Sequence, residues 1–259
     1  MSAVLTTRRD AVGILTINRP ETLNALDIPT LLEFEKEFSG LEADESIRVI
    51  VVTGAGERAF VAGGDIADLD SRRGLAHYRE FGAVIHRVFA RVENCDKPTI
   101  GAVNGWALGG GTELLLCLDL RIASDSAKLG LPEINLGLFP GAGGTQRIIR
   151  QLPACRAKEL MFTGKHIAAA EALSIGLLNR VVPKAEVLDT ALALAAEIAA
   201  KSPLVLTLLK RALRHGADMP LSAALPFEHA MIGLVFDSND AHEGCRAFLE
   251  KRPPVFKGN

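Results

Sequence analysis

The sequence predicts an α/β fold with right-handed crossovers, and three observations carry that expectation. Strand-like and helix-like segments alternate through the first two-thirds of the 259 residues. Two short apolar runs, starting at Val49 and Thr99, each lead into a glycine-rich loop and then into helical periodicity. Hydrophobic residues make up 48% and charged residues 23%, the balance of a globular chain long enough to bury a large core. Strands separated by helices in this order form parallel sheets, whose crossovers are right-handed.

The elements follow in order. Val12–Asn18 alternates apolar and polar positions, as a half-buried strand does. Asp27 is placed to cap a helix over Ile28–Leu41, where Leu31, Leu32, Phe34, Phe38 and Leu41 recur near helical spacing. Val49–Thr53 is a β-branched run that reads as a buried strand. A glycine-rich loop, Thr53–Asp65, precedes a helix near Ala76–Val92. Thr99–Val103 repeats the pattern, with a helix from about Gly111, and further strands are expected at Leu120–Ala123 and Arg180–Val182. The two strand-to-loop units lie about fifty residues apart, a period compatible with stacked turns of a coil. After Lys201-Ser202-Pro203 the pattern turns wholly helical: Leu204–Gly216, Leu221–Phe236 and Ala241–Glu250. The division expected is a core over residues 1–200 and a helical region over 201–259. The alternative, that these helices complete a single core, stays open.

Charge and cysteine content exclude several classes. Lys and Arg number 29 against 31 Asp and Glu, so the net charge of −2 gives no reason to expect nucleic acid or an anionic membrane. Cys95, Cys117, Cys155 and Cys245 form no CxxC pair and read as reduced core residues. The first ten residues lack the apolar centre of a secretory signal, and the apolar stretches Leu114–Leu118 and Ala191–Ala200 are too short for a bilayer. A soluble, cytoplasmic protein is expected. The sequence contains no GxSxG elbow, HExxH, Walker loop or strand-linked GxGxxG, and its six histidines show no metal-ligand spacing. Neither a metal nor a redox cofactor is expected.

Glycine and carboxylate remain. Gly109-Gly110-Gly111 precedes an apolar helix that contains Glu113. First-turn N–H groups are unpaired and favour negative charge, so this point suits a developing oxyanion. A tight turn with close helix packing explains the glycines equally well. Glu113 reads either as a dipole-matched acid or as a functional one in a buried helix. Glu133 follows Pro132 and leads to the cluster Gly137–Gly144; it reads either as an exposed loop acid or as a partner of Glu113 in one cleft. The earlier loop, Ala59–Ile66, supplies Gly63 and Gly64 as further donors and Asp65 as a helix cap. Two N–H donors and two carboxylates form a site for moving protons beside a carbonyl.

These residues resemble the enoyl-CoA hydratase (crotonase) family over essentially the whole chain. The matching pieces are Asn18-Arg19-Pro20 with Asn24-Ala25-Leu26, Ala59–Ile66, Ala102–Glu113, Pro132–Arg147 and Glu250–Phe256. The resemblance implies a spiral of ββα turns followed by trimer-forming helices, giving a homotrimer or a dimer of trimers. It implies that the N–H groups of Gly64 and Gly110 form the oxyanion hole for an acyl-CoA thioester. Glu113 and Glu133 fall on the two catalytic glutamates, and Gly141 on the glycine that helps hold the water. Ala62, Gly64, Asp65, Ile66, Ala67 and Gly110 fall on the substrate-binding positions. Coenzyme A enters only as part of the substrate. Both acids together imply addition of water to a trans-2-enoyl-CoA, giving a 3-hydroxyacyl-CoA, as in fatty-acid β-oxidation.

Two positions depart from the family pattern. Ala67 stands where several hydratases carry a lysine near coenzyme A, and Leu118 replaces a small residue or cysteine. Alternatives within the family are a carnitinyl-CoA dehydratase, a hydratase for branched or aromatic acyl groups, and an enoyl-CoA isomerase. Residues in 68–92 and 225–236 are expected to shape the acyl pocket. An RNA-binding homologue is disfavoured because residues 31–45 carry Glu33, Glu35, Glu37, Glu42, Asp44 and Glu45 against a single Lys36.

Overall fold

The structure is a computed structural model that describes residues 2–259. Its strands are β1 (Val4–Arg9), β2 (Val12–Ile17), β3 (Val49–Gly54), β4 (Ala59–Val61), β5 (Thr99–Val103), β6 (Trp106–Leu108), β7 (Leu120–Ser124), β8 (Lys128–Gly130), β9 (Ile167–Ala168) and β10 (Arg180–Val182). They form a six-stranded sheet ordered β1-β2-β3-β5-β7-β10 and a four-stranded sheet ordered β4-β6-β8-β9. From β2 to β10 the large sheet is parallel; β1 alone runs antiparallel, against β2.

The connectivity is a coil of ββα turns. Each turn lays one strand in the large sheet and the next in the small sheet: β3 then β4, β5 then β6, β7 then β8. A helical segment leads from each turn to the next stage of the chain. After β4 come Ile66–Asp70 and a run made of Leu75–His77, a π-helical turn Tyr78–Gly82 and Ala83–Asn94. After β6 comes Gly110–Leu115, and after β8 come Gly144–Gln151 and Ala154–Thr163. The α/β expectation and its repeated unit therefore describe the molecule.

Burial explains why β3 reads as an unbroken β-branched run. Ile50 and Val52 face a core shared with Phe60, Val103, Leu114 and Leu129. Val49 and Val51 face the other way, into a second core closed by Val187, Ala191, Leu192 and Ala195 of the helix Val187–Ala199. A strand covered on both faces has no polar positions to alternate with. The helix Ile28–Ala43 starts as expected: Asp27 accepts the Thr30 N–H at 2.8 Å and presents Leu31, Phe34 and Phe38 inward. Such a cap is worth about 1 kcal/mol.

The last three helices, Pro203–Gly216, Leu221–Phe236 and Asn239–Leu249, contain no strand between them. Ser202 and Ser238 cap the first and third through their side chains. Among the described residues no single helix is long and apolar enough to cross a membrane. The acid-rich residues 31–45 are partly neutralised: Arg87 makes two bonds to Glu35 at 2.9 and 2.8 Å, and Arg91 bonds Glu42 at 2.8 Å. The cysteine reading needs correction. Cys95 and Cys117 are buried and free, but Cys155 and Cys245 lie on the surface, on exposed faces of amphipathic helices.

One contact fixes how closely the helix Gly110–Leu115 approaches the small sheet. Gly111, in the first turn of Gly110–Leu115, lies against the end of β4, and a Cβ there would sit 2.0 Å from the Val61 carbonyl oxygen. Gly111→Ala is expected to destabilise the protein by about 2 kcal/mol or more, because backbone must move to admit the methyl group. Urea unfolding of wild type and variant measures it.

Candidate active site

Two backbone donors converge where the first and second turns of the coil meet. Leu26 bonds both neighbours of Gly64: its N–H donates to the Gly63 carbonyl at 2.8 Å, and its carbonyl accepts the Asp65 N–H at 2.9 Å. In an extended chain alternate residues point their polar groups to opposite sides, so the Gly64 N–H faces away from Leu26. On that side lies Gly110. A Cβ on Gly110 would be 3.6 Å from the Gly64 nitrogen, ordinary contact distance. The Gly110 N–H belongs to the first helical turn, where a donor has no carbonyl within the helix. Gly63 and Gly109 make the approach possible with φ of +105° and +52°, conformations that L side chains rarely adopt.

Below this pair lies a cavity of about 140 Å³, lined among others by Gly64, Gly110, Glu113, Glu133 and Gly141. Glu113 is buried. Its Oε1 accepts the N–H of Ala142 at 2.8 Å and of Gly144 at 2.7 Å. Gly144 opens the helix Gly144–Gln151, which has no side-chain cap of its own. The Glu113 carboxylate takes that place and lies at the positive end of the helix dipole. Burial pushes the carboxyl above the ordinary carboxylate range, while the two N–H groups and the charge of Arg147 pull it back. With Oε1 committed, Oε2 is the atom left for a reactant.

Glu133 occupies the opposite environment. It sits on the 3₁₀ turn Pro132–Leu136, and both its carboxylate oxygens are buried without a hydrogen-bond partner. Desolvation, with a smaller contribution from the Glu113 charge, pushes its carboxyl up to about 7. Glu133 also reaches the hole: its Oε1 is 3.1 Å from where a Gly109 Cβ would stand. The chain thus brings Glu113, Glu133, Gly64, Gly110 and Gly141 to one cavity. Of the two readings left open for Glu133, the exposed loop acid does not describe it.

The other substrate-binding candidates are placed less alike. Ala62 is half-buried, and its N–H is taken by the Leu23 carbonyl at 3.1 Å. Asp65 caps the helix Ile66–Asp70 by accepting from Ala67 and Asp68, and it pairs with Arg19 at 3.3 Å. Its side chain is occupied in shaping the loop. Ile66 and Ala67 are exposed and line neither this cavity nor the pocket beside it. The cavity adjoins a wider pocket of about 860 Å³ through His77, Gly82, Leu138, Phe139 and Gly141, so the stretch 68–92 does border the site. Residues 225–236 line neither cavity within this chain; their helix packs on Pro203–Gly216 instead.

Sequence reasoning missed Ala142 and Gly144, which lie 29 and 31 residues from the acid they hold. It also missed Thr112, whose hydroxyl donates to the Ala107 carbonyl at 2.6 Å, accepts the Gly130 N–H at 3.2 Å and ties the second turn of the coil to the third. The signal for Thr112 was present, a buried hydroxyl beside the glycine triplet, but its partners were not.

Fold and site together define a crotonase-type enzyme. An enoyl-CoA hydratase from Bacillus anthracis superposes with a TM-score of 0.95 at 38% identity, covering 99% of this chain and 100% of that one. The chain belongs to the enoyl-CoA hydratase/isomerase family, whose sequence profile matches residues 7–259. It is 41% identical to the short-chain-enoyl-CoA hydratase of Clostridium acetobutylicum, over 97% of this chain and 96% of that protein. It is likewise 41% identical to the crotonyl-CoA hydratase of Syntrophomonas wolfei, over 98% and 97%.

An unpartnered buried acid has a thermodynamic signature. A carboxyl raised in the folded state binds its proton more tightly there than in the unfolded chain, so stability falls as pH rises between the ordinary glutamate range and about 7. Glu133→Gln removes that dependence. The variant is expected to melt higher than wild type at pH 8 and to lose most of that advantage at pH 5, as read by thermal unfolding at both pH values.

Proposed function

We propose that this protein adds water reversibly across the double bond of a trans-2-enoyl-CoA thioester to give a 3-hydroxyacyl-CoA, as in fatty-acid β-oxidation. The observation that carries the reading is the pair of acids on one cavity in contrasting environments beneath two converging N–H donors. Family membership and relatives that hydrate short enoyl thioesters support it.

The thioester oxygen sits between the N–H groups of Gly64 and Gly110, which polarise the carbonyl and draw electrons from the β-carbon. Glu113, held by Ala142 and Gly144, takes a proton from water through Oε2 as the water oxygen bonds to the β-carbon. The electron pair of the double bond moves toward the thioester oxygen, which the two donors stabilise as an enolate. Glu133, whose carboxyl keeps its proton until about pH 7, delivers that proton to the α-carbon. Gly141 stands at the cavity wall and is assigned to holding the water. The product gains one water, and the two acids exchange protonation states. Because the glutamates share one cavity, their titration belongs to the pair as well as to each residue.

The addition is redox-neutral and the carbonyl is polarised by backbone donors, so the reading requires neither a metal nor a redox cofactor; coenzyme A is carried by the substrate. Ala62, Asp65, Ile66 and Ala67 are assigned to the rim where the thioester and coenzyme A enter. The helix Leu221–Phe236 exposes Leu221, Leu225, Ile232, Leu234 and Phe236, which supports assembly as a homotrimer or dimer of trimers through this region. A cytoplasmic location, without nucleic-acid or membrane partners, completes the reading.

Crotonyl-CoA hydration, followed by loss of the enoyl-thioester absorbance, tests the proposal. Wild type should turn over, and Glu113→Gln and Glu133→Gln should each lose on the order of 10²–10⁴ in rate. A folded wild type inactive on crotonyl, branched and aromatic enoyl thioesters would overturn it. Gly110→Pro removes one donor of the hole and should abolish turnover in a protein that still unfolds cooperatively; an active Gly110→Pro enzyme would refute that donor.

A further inference from the structure

Two charged residues beside the site stand against the dipoles of their own helices. Arg147 lies in the opening turn of Gly144–Gln151, where a cation is disfavoured. Glu93 lies in the last turn of Ala83–Asn94, where an anion is disfavoured. Each helix is the less stable for it by local rules, and the two residues meet. Arg147 donates from Nε to Glu93 Oε1 at 3.0 Å and from Nη2 to Glu93 Oε2 at 2.7 Å. Its third donor, Nη1, bonds the Ala142 carbonyl at 2.9 Å.

Ala142 is the residue whose N–H holds Glu113 Oε1 from the other side. The guanidinium folds so tightly over the loop that a Cβ on Gly143 would lie 2.0 Å from Nη1, and Gly143 has φ of +99°. A continuous path therefore runs from Glu93 through Arg147 and the backbone of Ala142, entering at its carbonyl and leaving at its N–H, to the Glu113 carboxylate. The Arg147 side chain is 14% exposed and the Glu93 side chain 37%, so the guanidinium is buried while solvent reaches the carboxylate.

We propose that Glu93 and Arg147 form a positioning pair for Glu113. The bidentate bond fixes the guanidinium, the guanidinium fixes the Ala142–Gly144 turn, and the turn's two N–H groups hold Oε1 so that Oε2 faces the cavity. Neither residue lines that cavity, so both act through Glu113. The proposal rests on Glu113 being the base of the hydration read above. The titratable groups that face Glu113 are Arg147, Glu133 across the cavity, Cys117 in the turn just after its helix, and Glu93 behind Arg147. Of these, Arg147 is the cation, and its charge favours the ionised form of Glu113.

The test is steady-state hydration of crotonyl-CoA as a function of pH for wild type, Arg147→Gln, Arg147→Lys, Glu93→Gln and the Glu93→Gln/Arg147→Gln double variant, with thermal unfolding of each. Arg147→Gln should lose on the order of 10²-fold in kcat, the scale of a misplaced catalytic group, with KM changed only a few-fold. The acidic limb of its kcat profile should move to higher pH, because the lost cation leaves Glu113 harder to ionise. Arg147→Lys keeps the charge but not the fork, so it should restore the limb while recovering only part of kcat. The double variant should lose about as much as Arg147→Gln alone, since the residues act as a unit. Should Arg147→Gln fail to fold, Glu93→Gln carries the test by lowering kcat without raising the acidic limb. Wild-type kcat and an unmoved limb in a folded Arg147→Gln would overturn the proposal. So would losses that track thermal stability with the limb unmoved and no recovery by lysine. An inactive wild type would instead sink the hydratase reading, and so tells the two failures apart.

Discussion

Backbone lying directly against backbone at Gly110 and Gly111 is the constraint on which the rest of the site depends. The end of β4 and the start of Gly110–Leu115 come so close that a Cβ at Gly111 would lie 2.0 Å from the Val61 carbonyl. That approach brings the Gly64 nitrogen next to Gly110, which sets two backbone donors from two turns of the coil side by side, as the proposed oxyanion hole requires. It also sinks Glu113, three residues along, into the core instead of leaving it at the surface. Side chains alone do not produce such a hole, because donors on rotatable groups must be ordered anew around each oxyanion. Here the sheets and the Thr112 hydroxyl, which ties Ala107 to Gly130, hold the donors before any substrate arrives.

The same burial then separates the two acids. Both lose water, yet Glu113 regains two N–H bonds and a helix terminus, while Glu133 regains nothing for its two oxygens. Burial raises both carboxyls; at Glu113 the N–H groups of Gly144 and Ala142 and the charge of Arg147 oppose the rise, while Glu133 is pushed up to about 7. Unequal surroundings of this kind are what the proposed division of acid and base roles rests on. The division arises from backbone geometry, since the residues themselves are chemically identical.

How much of this was legible depended on range. β3 and β5 were visible because both are buried throughout: β3 opens as an unbroken β-branched run, and β5 carries only small and β-branched residues. The strands of the small sheet, β4, β6 and β8, have three residues each, too few for any periodicity to emerge. β1 was missed for a different reason: of its six residues only Val4 is buried, so an edge strand carries almost no apolar signal. Gly63, Gly64 and Gly110 announced themselves because close approach leaves a mark at the position that needs it. The partners of Glu113 left none. Ala142 and Gly144 contribute through their N–H groups, which every residue but proline has, and the turn that aims them is set by contacts formed only on folding. Residues 225–236 line neither cavity within this chain, and the sequence of an apolar helix states that it packs and not where.

Arg147 and Glu93 show what remains readable when partners are not. Each is a plain violation of the dipole preference of its own helix, visible from sequence once the helix ends are known. A natural sequence tends to agree with itself at every level, and breaks that agreement where a site demands it. Taken singly, either residue is an indifferent surface charge with a small unfavourable contribution. Taken together across 54 residues they form a bidentate pair whose spare donor is spent on the carbonyl of Ala142, the residue whose N–H holds Glu113. Stability alone gives no reason to place two mismatched charges at two helix ends, because an apolar pair or a reversed one would serve the helices better. The geometry of a carboxylate that must keep one oxygen bound and the other turned to the cavity does give one.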